Sequence, residues 1–156
     1  MDNSPSINHL SLIELTTDCI DDIMPIEQAA YEVPWSKGHF LDCLKSDYLM
    51  QIIMDEGEII GYWVLQIILD ELHILNICVN PAHQGNGFGK KMLESLKEYC
   101  STKGMNRILL EVRRNNKVAR NLYKTSGFKQ IGLRKGYYPG VGHTRVDAIV
   151  MEFLFD

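Results

Sequence analysis

Hydrophobic residues change their spacing several times along this chain, and each change predicts an element. "HLSLIEL", residues 9–15, has the alternation of a short strand, and Thr16 to Asp18 then supplies a helix-start signal. Ile20, Ile23, Met24 and the stretch from Glu27 to Tyr31 fall at helical spacing despite Pro25. In "VPWSKGHFLDCL", Ser36 is placed to cap a second helix, with Trp35 and Phe40 bracketing it as a hydrophobic staple. From Tyr48 the period shortens. "YLMQIIMD" and "EIIGYWVLQIIL" flank Asp55-Glu56-Gly57 and predict an antiparallel hairpin, and "LHILNICV" predicts another strand.

The second half alternates strand and helix. Phe88, Met92, Leu93, Leu96, Tyr99 and Cys100 form one apolar stripe on a helix from about Phe88 to Lys103, stopped by Gly104. Arg107 to Val112 reads as a strand, and a helix capped by Asn115 or Asn116 runs on to Gly127. The tail contains two strands around a loop rich in glycine and proline. The whole pattern predicts a mixed α/β sheet flanked by helices.

Length and composition narrow the class. With 156 residues, 46% hydrophobic and 23% charged, the chain suits one globular domain. Residues 9–156 are assigned to it, after a polar leader over residues 1–8. That leader has no secretory pattern, and no apolar run approaches the roughly 20 residues of a membrane span, so a cytoplasmic location is expected. A net charge of −4 argues against a broad nucleic-acid surface and suits a basic partner. Cys19, Cys43, Cys78 and Cys100 lack the paired spacing of metal or redox motifs. No metal and no disulfide are expected, and most of the four should pack as small apolar residues.

The segment "NPAHQGNGFGKKML" holds the clearest candidate chemistry, with Gly85, Gly87 and Gly89 leading from a strand into a helix. Such a turn gathers backbone N–H groups at the positive end of a helix and can cradle an anion. Two nucleotide motifs fail. The dinucleotide fingerprint requires glycine where Lys90 stands; the P-loop requires glycine at Gln84 and Ser or Thr at Lys91. A turn without a ligand is the plain alternative.

Beyond these physical readings, the chain resembles the GNAT N-acetyltransferase superfamily. Gln84-Gly85-Asn86-Gly87-Phe88-Gly89 is similar to its coenzyme A pyrophosphate loop, and Leu122-Tyr123-Lys124-Thr125-Ser126-Gly127-Phe128 to its later helix. The segments "VPWS", "LEVRRNN" and "GYYPGVGHTRVDAIVM" resemble the branch that acetylates ribosomal-protein N-termini. The resemblance runs from about Leu10 to the C-terminus. It implies a GNAT-type, mostly antiparallel sheet in a single domain. It also implies acetyl-coenzyme A as cosubstrate, and a cofactor site at Ile77, Cys78, Val79, Gln84, Gly85, Asn86, Gly87, Phe88, Gly89, Lys90 and Asn116.

Acetyl transfer to an amine needs a base, an acid and a donor to the thioester oxygen. Glu111 interrupts the apolar run Ile108 to Val112, where partial desolvation suits a carboxylate to accept a proton. By residue chemistry alone, an ion pair with Arg113 is the competing reading; the resemblance makes Glu111 the general base. The resemblance makes Tyr123 the general acid and puts a backbone N–H near Val79 beside the thioester. Cys78 as nucleophile is a rival, although no His partner is suggested and the family transfers directly in a ternary complex. Trp35, Tyr137 and Tyr138 correspond to acceptor-groove positions. Val146 departs from the branch, which usually carries Glu before Asp-Ala, and this bears on acceptor preference. The resemblance therefore implies acetylation of a protein N-terminal α-amine, most closely the alanine of a small-subunit ribosomal protein. Alternatives are acetylation of a lysine, another N-terminus or a small amine, and, in another class, a coenzyme A sensor without catalysis.

Overall fold

The alternating segments become seven strands: β1 (Ser11–Glu14), β2 (Leu49–Asp55), β3 (Glu58–Ile68), β4 (Glu71–Val79), β5 (Arg107–Arg113), β6 (Lys129–Pro139) and β7 (Arg145–Leu154). A computed structural model of the chain describes residues 4–156. The strands form one sheet in the order β1-β2-β3-β4-β5-β7-β6. Every neighbouring pair is antiparallel except β4–β5. A parallel pair requires a crossover, which α3 (Phe88–Thr102) provides. With α4 (Lys117–Thr125) it covers one face of the sheet, and α1 (Ile20–Ala30) and α2 (Lys37–Leu44) cover the other.

Side-chain period explains this division. The α3 stripe buries Met92, Leu93, Leu96 and Cys100 against Ile108, Leu110 and Val112, the alternate residues of β5. Across the sheet, Ile20, Ile23, Phe40 and Cys43 pack on Ile52, Tyr62 and Val64. Burial of each such aliphatic side chain stabilises the fold by about 1.5–3 kcal/mol before entropy is counted. Three of the four cysteines, Cys43, Cys78 and Cys100, are buried in these layers, and Cys19 is half-buried.

Local signals act where they stand. Ser36 Oγ accepts the His39 N–H at 3.1 Å, and the Trp35 and Phe40 rings meet edge-on at 5.2 Å. The hairpin turns on Glu56 and Gly57 alone, both at positive φ, while Asp55 stays paired with Glu58. The first strand is shorter than the pattern predicts, because His9 takes φ 68° and Leu10 N–H turns back to the Ile7 carbonyl. Ile7, inside the segment read as a polar leader, packs into the core of the α3–α4 face. Among the described residues no helix is long and apolar enough to cross a membrane.

One irregularity shapes the sheet. Val64 pairs with Asn76 but Leu65 pairs with Ile74, so Leu75 is an extra residue on β4. Side chains change faces there: Ile74 packs on the α3–α4 side, Leu75 on the α1–α2 side and Ile77 on the α3–α4 side again. The parallel ladder covers only Glu71–Ile74 against Arg107–Leu110. Past the bulge, β4 parts from β5, which continues against β7 to Arg113. A gap therefore opens in the middle of the sheet.

Candidate active site

The gap is lined by the free edge of β4. Asn80 N–H bonds the Ile60 carbonyl on β3 at 2.8 Å, so by strand alternation the N–H groups of Ile77 and Val79 face away from β3. The Ile77 carbonyl also faces that side and accepts the Tyr31 hydroxyl at 2.5 Å. Two N–H donors thus stand on an edge without a neighbouring strand, beside a carbonyl already bonded to Tyr31, an arrangement that suits an extended amide-containing chain.

At the end of this edge lies the glycine turn. Gly87 caps α3 in the left-handed region, and the helix start has no side-chain cap. Gly85 and Gly87 have φ of +84° and +79°, and a Cβ on either would meet nothing within 4 Å. Their requirement is conformational, and the turn is open to an incoming group. Gly89 has a different reason, since its Cβ would lie 2.9 Å from Leu122 Cδ2, so it allows α3 and α4 to pack closely. With the first-turn N–H groups of α3 free of capping side chains, the turn suits a pyrophosphate. Gln84 Nε2 reaches the Val79 carbonyl at 3.4 Å and Asn86 Nδ2 the His83 carbonyl at 3.3 Å, bonds that shape the turn. Phe88 is half-buried on the core and Lys90 is exposed. Across the gap, Asn116 uses its side-chain oxygen to cap α4 through Ala119 N–H at 3.2 Å.

Groups from both faces meet at the gap. Tyr123, on α4, is 7% exposed. Burial pushes the pKa of its hydroxyl well above the usual phenol range, with the charges of Tyr138 and Cys78 adding to the effect. The hydroxyl therefore keeps its proton near neutral pH, as a general acid must. Cys78 lies on the opposite side of β4. Burial pushes its thiol up to about 12, against hydrogen bonding with Tyr62 and Tyr31. Such a thiol is scarcely ionised near neutrality, which disfavours it as a nucleophile.

Glu111 projects from β5 on the face opposite Val112. Its carboxylate accepts from Arg134 Nη1 at 2.8 Å and its side chain is 30% exposed. Its ion-pair partner is Arg134 on β6, not the Arg113 of the competing reading. Arg113 instead lies over the Tyr138 ring at 4.8 Å with Nη1 buried and unbonded, and Arg134 lies over Tyr137 at 3.9 Å. The two tyrosine rings meet edge-on at 5.1 Å. Burial, followed by the Glu111 charge, pushes the Tyr138 hydroxyl up to about 12. A bulge between Arg134 and Tyr138 presents this pair. It is tied down by Asp147, which accepts from Gly136 N–H at 2.9 Å and from Arg114 Nη1 at 3.1 Å.

The structure therefore brings Glu111, Tyr138 and Tyr137 together, and sets Tyr123 and Cys78 at the gap with Ile77 and Val79. Trp35 stacks on His39 at 4.0 Å and has no ring contact with the tyrosine pair among the described residues. Three residues here went unremarked in the sequence as site groups: Glu27, Tyr31 and Arg134. Glu27 did leave a signal, because it extends the Ile20–Ile23 apolar stripe at i+7, where a carboxylate must be buried.

A gap beside a glycine turn at a helix start, lined by Tyr123, Glu111 and free N–H groups of β4, has the groups that acyl transfer requires. The Acetyltransferase (GNAT) family pattern matches residues 20–128, and the chain belongs to that family, which uses acetyl-coenzyme A. Its relatives narrow the type. The [ribosomal protein bS18]-alanine N-acetyltransferase of Haemophilus ducreyi is 40% identical over 129 residues, 83% of this chain and 89% of that protein. The counterpart from Escherichia coli K12 is 35% identical over 145 residues, 93% of this chain and 96% of its own. The crystal structure of the ribosomal-protein-S18-alanine N-acetyltransferase from Escherichia coli matches with a TM-score of 0.82 at 32% identity, covering 93% of each chain. These relatives are of the RimI type.

Proposed function

We propose that this protein transfers acetyl from acetyl-coenzyme A to the N-terminal alanine α-amine of ribosomal protein bS18, in the cytoplasm where ribosomal proteins are made. The observation that carries the reading is the interrupted β4–β5 ladder, opening beside the glycine turn in a chain so similar to bS18-alanine acetyltransferases. When bound, the coenzyme supplies an activated acetyl thioester. Ile77 and Val79 offer the β4 edge to the extended arm, and Gln84 to Lys90 with Asn116 surround the pyrophosphate and the arm's outer end. The Val79 N–H, free of β3, would donate to the thioester oxygen, where negative charge develops.

The acceptor enters from the side of Trp35, Tyr137 and Tyr138. Glu111 removes a proton from the amine, directly or through water, and Arg134 holds the carboxylate in place. The new bond is N–C and the bond that breaks is C–S. Tyr123 gives its hydroxyl proton to the departing thiolate sulfur. Val146 stands where a glutamate is usual in this branch, so the groove here has one fewer acid for a basic acceptor chain.

Intact-mass and fragment spectrometry with a peptide carrying an N-terminal alanine and an internal lysine tests the proposal. Acetyl on the α-amine alone supports it, and acetyl on the lysine alone assigns a different acceptor. No transfer with coenzyme binding retained would favour a sensor.

A further inference from the structure

Outside the catalytic groups, the least ordinary polar feature is Glu27 on α1. It is 1% exposed, and it is the buried acidic residue among the described core. Three donors, from β3, β4 and the loop before α2, converge on it. Oε1 accepts from the Tyr62 hydroxyl on β3 at 2.7 Å and from Asn76 Nδ2 on β4 at 3.0 Å. Oε2 accepts the backbone N–H of Trp35 at 2.9 Å. No cation is paired with it among the described residues, so these bonds are what offsets its desolvation.

The placement of the three donors gives Glu27 its consequence. Asn76 follows the bulge that opens the gap, one residue before Ile77 on the β4 edge. Trp35 N–H begins the turn that caps α2, in the stretch that forms the α1–α2 wall. Between Glu27 and Trp35, Tyr31 donates its backbone N–H to the Glu27 carbonyl and its hydroxyl to the Ile77 carbonyl and, at 3.4 Å, to Asn76 Oδ1. One buried carboxylate therefore sets the distance between the α1–α2 wall and the exposed edge of β4. A hydrophobic residue at position 27 would fill the space without specifying that spacing.

We propose that Glu27 is a positioning residue that holds the segment 31–35 at the register needed to seat the acceptor, while leaving coenzyme binding to the opposite wall. The inference rests on the proposed acetylation of a peptide amine. Glu27→Gln is the informative substitution. Its amide oxygen can keep Tyr62 and Asn76, but its NH₂ then faces Trp35 N–H, donor against donor. Tyr62→Phe is the control, since it removes one bond to Glu27 and leaves the Trp35 bond in place.

Steady-state kinetics with the alanine peptide, coenzyme binding by calorimetry, Tm and amide exchange are measured for the wild type and both variants. The expected result for Glu27→Gln is a rise of about tenfold in acceptor KM with coenzyme affinity unchanged, and faster exchange confined to residues 31–37. Tyr62→Phe is expected to lower Tm with acceptor KM unchanged. The inference is overturned if Glu27→Gln lowers Tm while acceptor KM and exchange at 31–37 stay at wild-type values. It is equally overturned if coenzyme affinity falls as much as acceptor affinity. A wild type that fails to acetylate the peptide refutes the functional reading; exchange at 31–37 then decides the positioning by itself.

Discussion

The two walls of the gap are made of different materials. The wall proposed for the coenzyme is backbone: the β4 edge at Ile77 and Val79, and the N–H groups around Gly85 and Gly87. The wall proposed for the acceptor is side chains gathered from β5, β6 and β7, among them Glu111, Arg134, Tyr138 and Asp147. A backbone wall recognises what every coenzyme A thioester shares, an amide arm and a pyrophosphate. A side-chain wall can be changed one residue at a time, so acceptor choice is expected to reside there.

Changes to the reacting groups should have the largest effects. Glu111→Gln and Tyr123→Phe are each expected to lower kcat by about 10²–10⁴-fold, with coenzyme affinity near wild type by calorimetry. A large loss of coenzyme binding in either variant would show that the two walls are not separable. Next comes Gly61, where an added Cβ would stand 2.3 Å from the Cys78 carbonyl oxygen across β3 and β4. Since backbone on both sides must move, Gly61→Ala should cost about 3 kcal/mol in urea unfolding and disturb both walls.

Gly87→Ala separates the walls more cleanly. At φ +79° an alanine carries a strain of about 1–2 kcal/mol, and relaxation of the free loop should raise coenzyme KM about tenfold without altering acceptor KM. The reverse pattern is expected of Asp147→Asn, which loosens the bulge that presents Tyr137 and Tyr138. There acceptor KM should rise about threefold and coenzyme KM hold, because the interaction is partly exposed.

The smallest effect is a pH dependence at the same aspartate. Gly136 N–H first, and then the Arg114 guanidinium, hold the Asp147 carboxyl below its ordinary value of 3.8. A depressed folded pKa makes its contribution complete above that value and progressively lost as pH falls through the lower folded one. Near-UV circular dichroism of the tyrosine pair should therefore change below about pH 3.8, and Asp147→Asn should remove that transition.

Much of the architecture was legible because it depends on local chemistry. The α3 stripe, the Ser36 cap and the cap expected at Asn115 or Asn116 each act through neighbours within a few residues and lie where the pattern put them, while the turn expected at Asp55-Glu56-Gly57 is one residue shorter. The GNAT resemblance was equally local, resting on the glycine turn and the Leu122 to Phe128 segment. Two features escaped for a physical reason. The Leu75 bulge shows no marker in "LHILNICV", because a bulge is a relation between two strands. Arg134 lies 23 positions from Glu111, and only the pairing of β6 and β5 through β7 makes them partners.

The sequence by itself determined the periods, caps and turns, and with them the layers and the glycine turn, because these follow from backbone geometry and near neighbours. Tertiary structure alone decided where the sheet parts, which arginine holds Glu111, and that Glu27 ties α1 to both β3 and β4. Those outcomes depend on hydrogen bonds between segments dozens of residues apart, whose energy exists only once the chain has brought them together.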